Sequence, residues 1–244
     1  MDNLSISAAS GMRARMESLE LLANNLANAE TGGYKADREF YSLYSSADAT
    51  SDPQTGAVYT QPVIEKHWTD FAQGDFRATG NPLDFAVDGN GLFAIQTPRG
   101  VRYTRNGNFR VSPTGALSTS DGSAVRARGG GQIVLQPGIP VEVGQDGSVV
   151  QGGAVAGQIE VLSFAPDSLS KEGANYWAPA AGAAGKPSTG AVLQGKLEAS
   201  NVGTAESAVR LVAIMRQFEM LQKAMTIGND LNKRAIEEVA RVTT

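Results

Sequence analysis

Both ends of this 244-residue chain carry an apolar repeat with the roughly 3.5-residue period of a coiled-coil seam, and the stretch between them does not. Within Met1–Asn28 the repeat runs through Ala9, Met12, Met16, Leu19, Ala23 and Leu26. Within Val202–Val239 it runs through Leu211, Ile214, Phe218, Leu221 and Met225, with Met220, Ala224, Ile227 and Leu231 as an adjacent stripe. A lone helix cannot bury such stripes. The two ends therefore pack on each other, on neighbouring copies, or both, which points to an assembly subunit more than to an enzyme.

The middle of the chain changes period. Asp84–Val87, Leu92–Gln96 and Val101–Thr104 are short strand-like runs, separated by Asp88–Gly89–Asn90–Gly91 and Pro98–Arg99–Gly100. The separators are tight-turn chemistry. The same spacing continues through Phe109–Val111, Ile133–Leu135, Val141–Val143, Val149–Val150 and Ile159–Phe164, with turns at Asp121–Gly122 and Asp146–Gly147. Many short strands at this spacing predict an antiparallel all-β domain. The expected fold class is α+β: N- and C-terminal helices pair as a coiled-coil layer around a central antiparallel all-β domain. The expected division is 1–35 plus 200–244 for the helical part, 36–69 for a linker or loop region, and 70–199 for the β domain. Asn201 or Thr204 can cap the second helix, and Glu206 suits the positive end of its dipole.

Composition removes several function classes. Twenty-one basic residues against 25 acidic ones leave a net charge of −4, without the basic stripe that nucleic-acid binding needs. No cysteine is present, so disulfides and thiolate metal sites are excluded together. His67 is the single histidine, and beside Trp68 and Asp70 it forms the one trio worth testing for chemistry; packing is its expected role. No Gly-x-Ser-x-Gly elbow occurs, and the glycine spacings do not match a phosphate-cradling loop. Asp88–Gly89–Asn90–Gly91 has too few ligands for a calcium loop and reads as a hairpin turn. No catalytic residue, cofactor or metal site is expected. No cleaved signal peptide and no run of about 20 apolar residues appears, so direct membrane insertion is not expected.

Four motifs, taken in order, carry a resemblance. Ala23–Asn24–Asn25–Leu26–Ala27–Asn28 with Thr31, Gly33, Tyr34, Lys35 and Phe40 resembles the N-terminal signature of bacterial flagellar rod and hook proteins. Pro82–Phe93 is similar to their central motif, and Arg102–Phe109 follows where that family places its next hairpin. Gly195–Val202 resembles the start of the family's C-terminal helix. Length and Arg216–Gln217–Phe218–Glu219–Met220 are most similar to the proximal-rod members, with the distal-rod members next.

The resemblance implies a tube in the flagellar basal body, spanning the periplasm, with helices as its inner layer and β domains outside. The implied partners are other copies of the chain, other proximal and distal rod subunits, and the flagellar type III export apparatus, which takes such proteins without a cleaved signal. The implied role is structural, transmitting torque from motor to hook.

The expected assembly interface comprises Met12, Met16, Leu19, Asn24, Asn25, Leu26, Asn28, Tyr34, Asn201, Leu211, Ile214, Phe218, Leu221 and Met225. Asn24, Asn25 and Asn28 are poor helix-interior residues. They read either as a fraying helix end before Gly32–Gly33 or as amides that bond to neighbouring helices and fix register. A rival reading is a cell-wall carbohydrate-binding or hydrolytic β domain that uses the helices to oligomerise, with Asp84 and Asp88 as the carboxylates to inspect. Unpaired helical stripes gain little from folding alone, so the terminal helices are expected to be largely disordered in a free subunit.

Overall fold

The structure, a computed structural model, describes the backbone of residues 3–45, 60–173 and 175–242, and side chains within 9–39, 67–173, 175–234, 237 and 241. The chain divides into two compact units. The first gathers Met1–Ala27, Asp37–Asp70 and Gly203–Thr244; the second gathers Asn28–Ala36 and Phe71–Val202.

The first unit contains the two helices, α1 (Asn3–Ala27) and α2 (Thr204–Val242), and a hairpin of β1 (Asp37–Ser45) and β2 (Thr60–Thr69). The helices lie where the repeats predict them, and they pack on each other, but α1 does so with a different face. Its buried residues are Ala14, Ser18, Leu22 and Asn25. Gly11 extends that face, where an added Cβ would meet Leu221 Cδ1 at 3.5 Å. Small residues let the helices approach closely, and the buried Ser18 hydroxyl donates to its own turn at Ala14 O, 3.0 Å away. The larger apolar stripe predicted to be the seam stays at or near the surface. Met16 is 51% exposed, Ala23 is exposed, and Met12, Leu19 and Leu26 are half-buried.

On α2 the two stripes separate cleanly. Ile214 is buried, and Leu211, Phe218, Leu221 and Met225 are half-buried, so the first stripe is the covered one. Met220, Ala224, Ile227 and Leu231 of the adjacent stripe are exposed, as is Val209.

The region read as a linker, 36–69, carries β1 and β2, paired antiparallel from Asp37↔Thr69 to Ser45↔Thr60 with a bulge at Phe40/Tyr41. Charges and Pro62 hide this hairpin from sequence periodicity. Among the described residues the two strands pair only with each other, so both are edges, where proline is tolerated. The side chains of the apolar cluster Phe40, Tyr41, Leu43 and Tyr44, and residues 46–59 of the linker reading, lie outside the described residues.

The second unit is antiparallel β throughout. Its strands are β3 (Phe76–Ala78), β4 (Phe85–Asp88), β5 (Leu92–Thr97), β6 (Gly100–Thr104), β7 (Phe109–Val111), β8 (Leu117–Thr119) and β9 (Ala124–Val125). There follow β10 (Val141–Val143), β11 (Ser148–Gln151), β12 (Ala154–Gln158), β13 (Val161–Ser163), β14 (Leu169–Glu172), β15 (Tyr176–Pro179), β16 (Lys186–Pro187), β17 (Ala191–Gln194) and β18 (Lys196–Glu198). The main sheet has nine strands, in the order β14-β15-β6-β5-β9-β8-β7, with β13 on β5 and β16 on β13. β10, β11 and β12 form a meander, while β17 pairs β4 and β18 pairs β3, so the end of this unit closes onto its beginning.

Pro98–Arg99 closes a true hairpin, with Thr97 opposite Gly100, and Asp121–Gly122 and Asp146–Gly147 lie in hairpins as read. Asp88–Gly89–Asn90–Gly91 does not. β4 pairs β17 and β5 pairs β6, so this turn carries the chain from one sheet to another.

β5 is buried on both faces, which accounts for its uninterrupted apolar run. Phe93 and Ile95 enter the main core with Phe85, Phe109, Leu117, Ile133 and Val149. Leu92 and Ala94 face a second core with Tyr103 and Trp177, where Phe71 packs on Trp177 at 5.7 Å between ring centroids. Tyr176 closes the main core, and its hydroxyl donates to Asp121 Oδ1 at 2.9 Å.

Burial, reinforced by the Asp121 carboxylate, pushes the Tyr176 phenol up to about 12. A raised phenol pKa favours folding while the unfolded tyrosine is still protonated, below its usual value of about 10. That contribution is lost as pH rises from there through about 12. Chemical denaturation across this window should show falling stability of the β unit, and Tyr176→Phe should flatten the slope.

Candidate functional site

The four motifs are spread over more than half the chain, and the second unit brings them to one buried cluster. Lys35 ends the segment that leaves α1, and Glu198 ends β18. Their side chains are fully buried and meet with Nζ and Oε1 2.5 Å apart. Arg105, just after β6, reaches the other oxygen, with Nη1 3.0 Å from Glu198 Oε2. Burial pulls the Arg105 guanidinium below its usual pKa, while Glu198 and, secondarily, Asp88 pull it the other way.

No polar atom of the carboxylate is wasted, because the Gly74 N–H also donates to Oε1, at 3.0 Å. The cations have carbonyls as further acceptors. Lys35 Nζ donates to Ala72 O at 2.7 Å. Arg105 Nη1 donates to Val87 O at 2.8 Å, and its Nη2 donates to Gly89 O. Those two carbonyls belong to β4 and its turn, so the central motif contributes backbone where the others contribute side chains.

The backbone is fixed by the same residues. The Gly33 N–H donates to Glu198 O at 2.8 Å. Gly33 has φ +67°, and a Cβ there would lie 2.4 Å from the Arg105 carbonyl carbon, so both conformation and space require glycine. Asn201, read as a possible helix cap, acts otherwise. Its Oδ1 accepts the Ala36 N–H at 2.8 Å and its Nδ2 donates to Ala72 O at 3.0 Å. The Gly203 carbonyl receives the first helical bond of α2, from the Ser207 N–H. Tyr34 is buried, with Lys171 Nζ 4.2 Å above its ring centre. Lys171 also donates to Lys35 O at 2.9 Å, and Asn175 Nδ2 to Gly32 O. Sequence reasoning named Tyr34 and Asn201 but missed Lys35, Arg105 and Glu198. The available signal was their place inside the four motifs.

The asparagines of α1 divide among different jobs. Asn25 is buried and makes a two-way bond with the β1 backbone: Nδ2 donates to Asp37 O at 2.8 Å, and Oδ1 accepts the Asp37 N–H at 3.0 Å. Both of these bonds are made within the chain. Asn28 lies in the exit turn, where its carbonyl accepts the Thr31 N–H at 3.1 Å. Asn24 is exposed.

The remaining candidates fall elsewhere. His67 and Trp68 are exposed on β2, where Arg38 lies over Trp68 and bonds Asp70 at 2.9 Å. Trp177 is core. Asp84 is buried and accepts from Asn81 and Asn108, whereas Asp88 is exposed. Among the described residues, no group of three or more histidines and carboxylates is placed to hold a metal.

Residues 7–35 match the flagella basal body rod protein family, residues 86–151 the flagellar hook protein FlgE/F/G D1 domain, and residues 193–238 the flagellar basal body rod FlgEFG protein C-terminal family. The chain is 36% identical to flagellar basal-body rod protein FlgF of Caulobacter vibrioides, over 99% of this chain and 100% of that protein. It is 33% identical to flagellar basal-body rod protein FlgG of Bacillus subtilis, over 92% and 94% of the two chains. With flagellar basal-body rod protein FlgF of Mesorhizobium japonicum the identity is 33%, over 87% of each.

The chain therefore belongs to the flagellar basal-body rod protein family. It is a structural subunit of the basal-body rod, and the family is a structural one. No described helix is long and apolar enough to cross a membrane.

Removing one partner of a buried ion pair costs about 3–5 kcal/mol, because the other charge is left uncompensated. Glu198→Gln strands two cations and should lose about that much; Lys35→Met, which leaves Glu198 with Arg105, should lose less. Denaturation followed by the fluorescence of buried Trp177 would measure both.

Proposed function

We propose that this chain is a proximal-rod subunit whose helices build a coiled-coil layer by association with neighbouring copies and other rod subunits. The observation that carries the reading is the surplus of apolar surface on α1 and α2. Once the helices have covered one face of each other, Met16 on α1 and Val209, Met220, Ile227 and Leu231 on α2 remain about half or more exposed. On α2 the exposed residues keep helical spacing along one side, as an intermolecular seam requires. Met12, Leu19 and Leu26 flank Met16 in the same role, while Leu211, Ile214, Phe218, Leu221 and Met225 hold the helix pair together within the subunit.

Burying a Leu, Ile or Met side chain contributes about 1.5–3 kcal/mol, so a few such residues per contact, repeated along a polymer, give a strong lateral bond. A tube bonded in this way resists shear and carries torque to the hook. Delivery by the flagellar type III export apparatus accords with this role. The identity is 36% to a FlgF over 99% of the chain and 33% to a FlgG over 92% of it, which favours the proximal over the distal rod.

Two measurements test the proposal. Ile227→Asp alters a residue already in solvent, so the purified subunit should keep its helicity and melting temperature while rod incorporation and motility are lost. Leu221→Asp strikes the helix pair and should lower both. Normal motility in the Ile227 variant would remove the exposed stripe from the interface. Electron microscopy of basal bodies from a strain lacking the chain should show assembly stopping before the distal rod; a complete proximal rod would reassign the subunit.

A further inference from the structure

The chain contains two Asn–Gly pairs, Asn90–Gly91 and Asn106–Gly107, and the structure treats them differently. An asparagine before glycine is chemically labile, because the next amide nitrogen can attack the side-chain carbonyl carbon with no Cβ in the way. Reaction also requires a free carboxamide and a backbone able to rotate into the attacking geometry.

Asn106 has neither. Its Oδ1 accepts the Asn108 N–H at 3.1 Å, and its own N–H donates to Thr104 Oγ1 at 3.1 Å. Gly107 is pinned by backbone on both sides: its carbonyl accepts the Phe85 N–H at 3.0 Å, and a Cβ at Gly107 would lie 1.6 Å from Phe85 O. Asn90 is exposed, in the turn between β4 and β5, and among the described residues its carboxamide has no hydrogen-bond partner. The Asn90 carbonyl accepts from the Ser188 hydroxyl, which in turn accepts the Gly190 N–H, and a Val161 methyl lies beside the buried Gly91, so this turn is held by side chains where Gly107 is held by backbone.

We infer that Asn90 is a site of spontaneous deamidation in the folded protein and that Asn106 is protected. The Gly91 nitrogen forms a bond to Asn90 Cγ, the Cγ–Nδ2 bond breaks, and ammonia departs with the proton that the Gly91 N–H gives up. Water then opens the cyclic imide at one carbonyl or the other, leaving aspartate or isoaspartate. The site lies one residue from Gly89, whose carbonyl Arg105 holds. Isoaspartate inserts a methylene into the backbone beside that carbonyl and exchanges a neutral side chain for a carboxylate next to Asp88. The modification therefore acts on the Lys35–Glu198–Arg105 cluster from its edge and loosens the Arg105 grip on the turn.

The test is incubation of the full chain in mildly alkaline buffer, folded and in denaturant, followed by tryptic peptide mass analysis. Residues 78–99 report Asn90 and residues 106–110 report Asn106. In the folded protein the first peptide should gain one dalton well before the second; in denaturant both should gain it at comparable rates. Asn90→Gln should abolish the early gain without affecting the second peptide. Equal rates in the folded protein, or a first peptide that converts only in denaturant, would overturn the inference.

Discussion

The β unit depends on one carboxylate. Glu198 is paired directly with two buried cations, and its backbone carbonyl receives the amide of the glycine that lets the chain turn out of α1. Such a network contributes little net stability compared with a hydrophobic cluster of equal volume, since desolvating three charges offsets most of their attraction. What it provides is uniqueness. An apolar plug would tolerate a shift of the Asn28–Ala36 segment; a carboxylate shared between an ammonium and a guanidinium at hydrogen-bond distance does not.

The helices show the opposite arrangement, with large apolar side chains left in solvent. The covered face of α1 joins the small Ala14 and Ser18 to Leu22 and Asn25, with Gly11 against Leu221 of α2, while Met16 stays 51% exposed. Burying Met16 would release more free energy than burying Ala14 or Ser18 does.

Sequence periodicity located both helices to within a few residues and identified the hairpins at Pro98–Arg99, Asp121–Gly122 and Asp146–Gly147, because these are local properties of the chain. It failed where the partner is remote. Lys35 and Glu198 are separated by 163 residues, and nothing in either neighbourhood announces the other. Apolar period alone also does not mark the face of α1 that is covered within the subunit: glycine, alanine and serine score low as a hydrophobic stripe, yet they permit close approach. The Asp88–Gly91 turn has the chemistry of a hairpin but joins strands of different sheets, since turn residues fix a local reversal and not which strands pair afterwards. The resemblance located the four motifs; that they converge was legible only in three dimensions.

The bonds joining Ala36 to Asn201 and Gly33 to Glu198 carry a mechanical consequence. The two points where the chain enters and leaves the β unit are stapled directly to each other, bypassing the sheets strung between them. Tension applied between residues 36 and 201 is carried first by that staple, through a few short polar bonds, rather than by peeling strands. The β unit is thereby relieved of load in a part that rotates under strain, and failure under force should begin at the staple while the aromatic core is still intact.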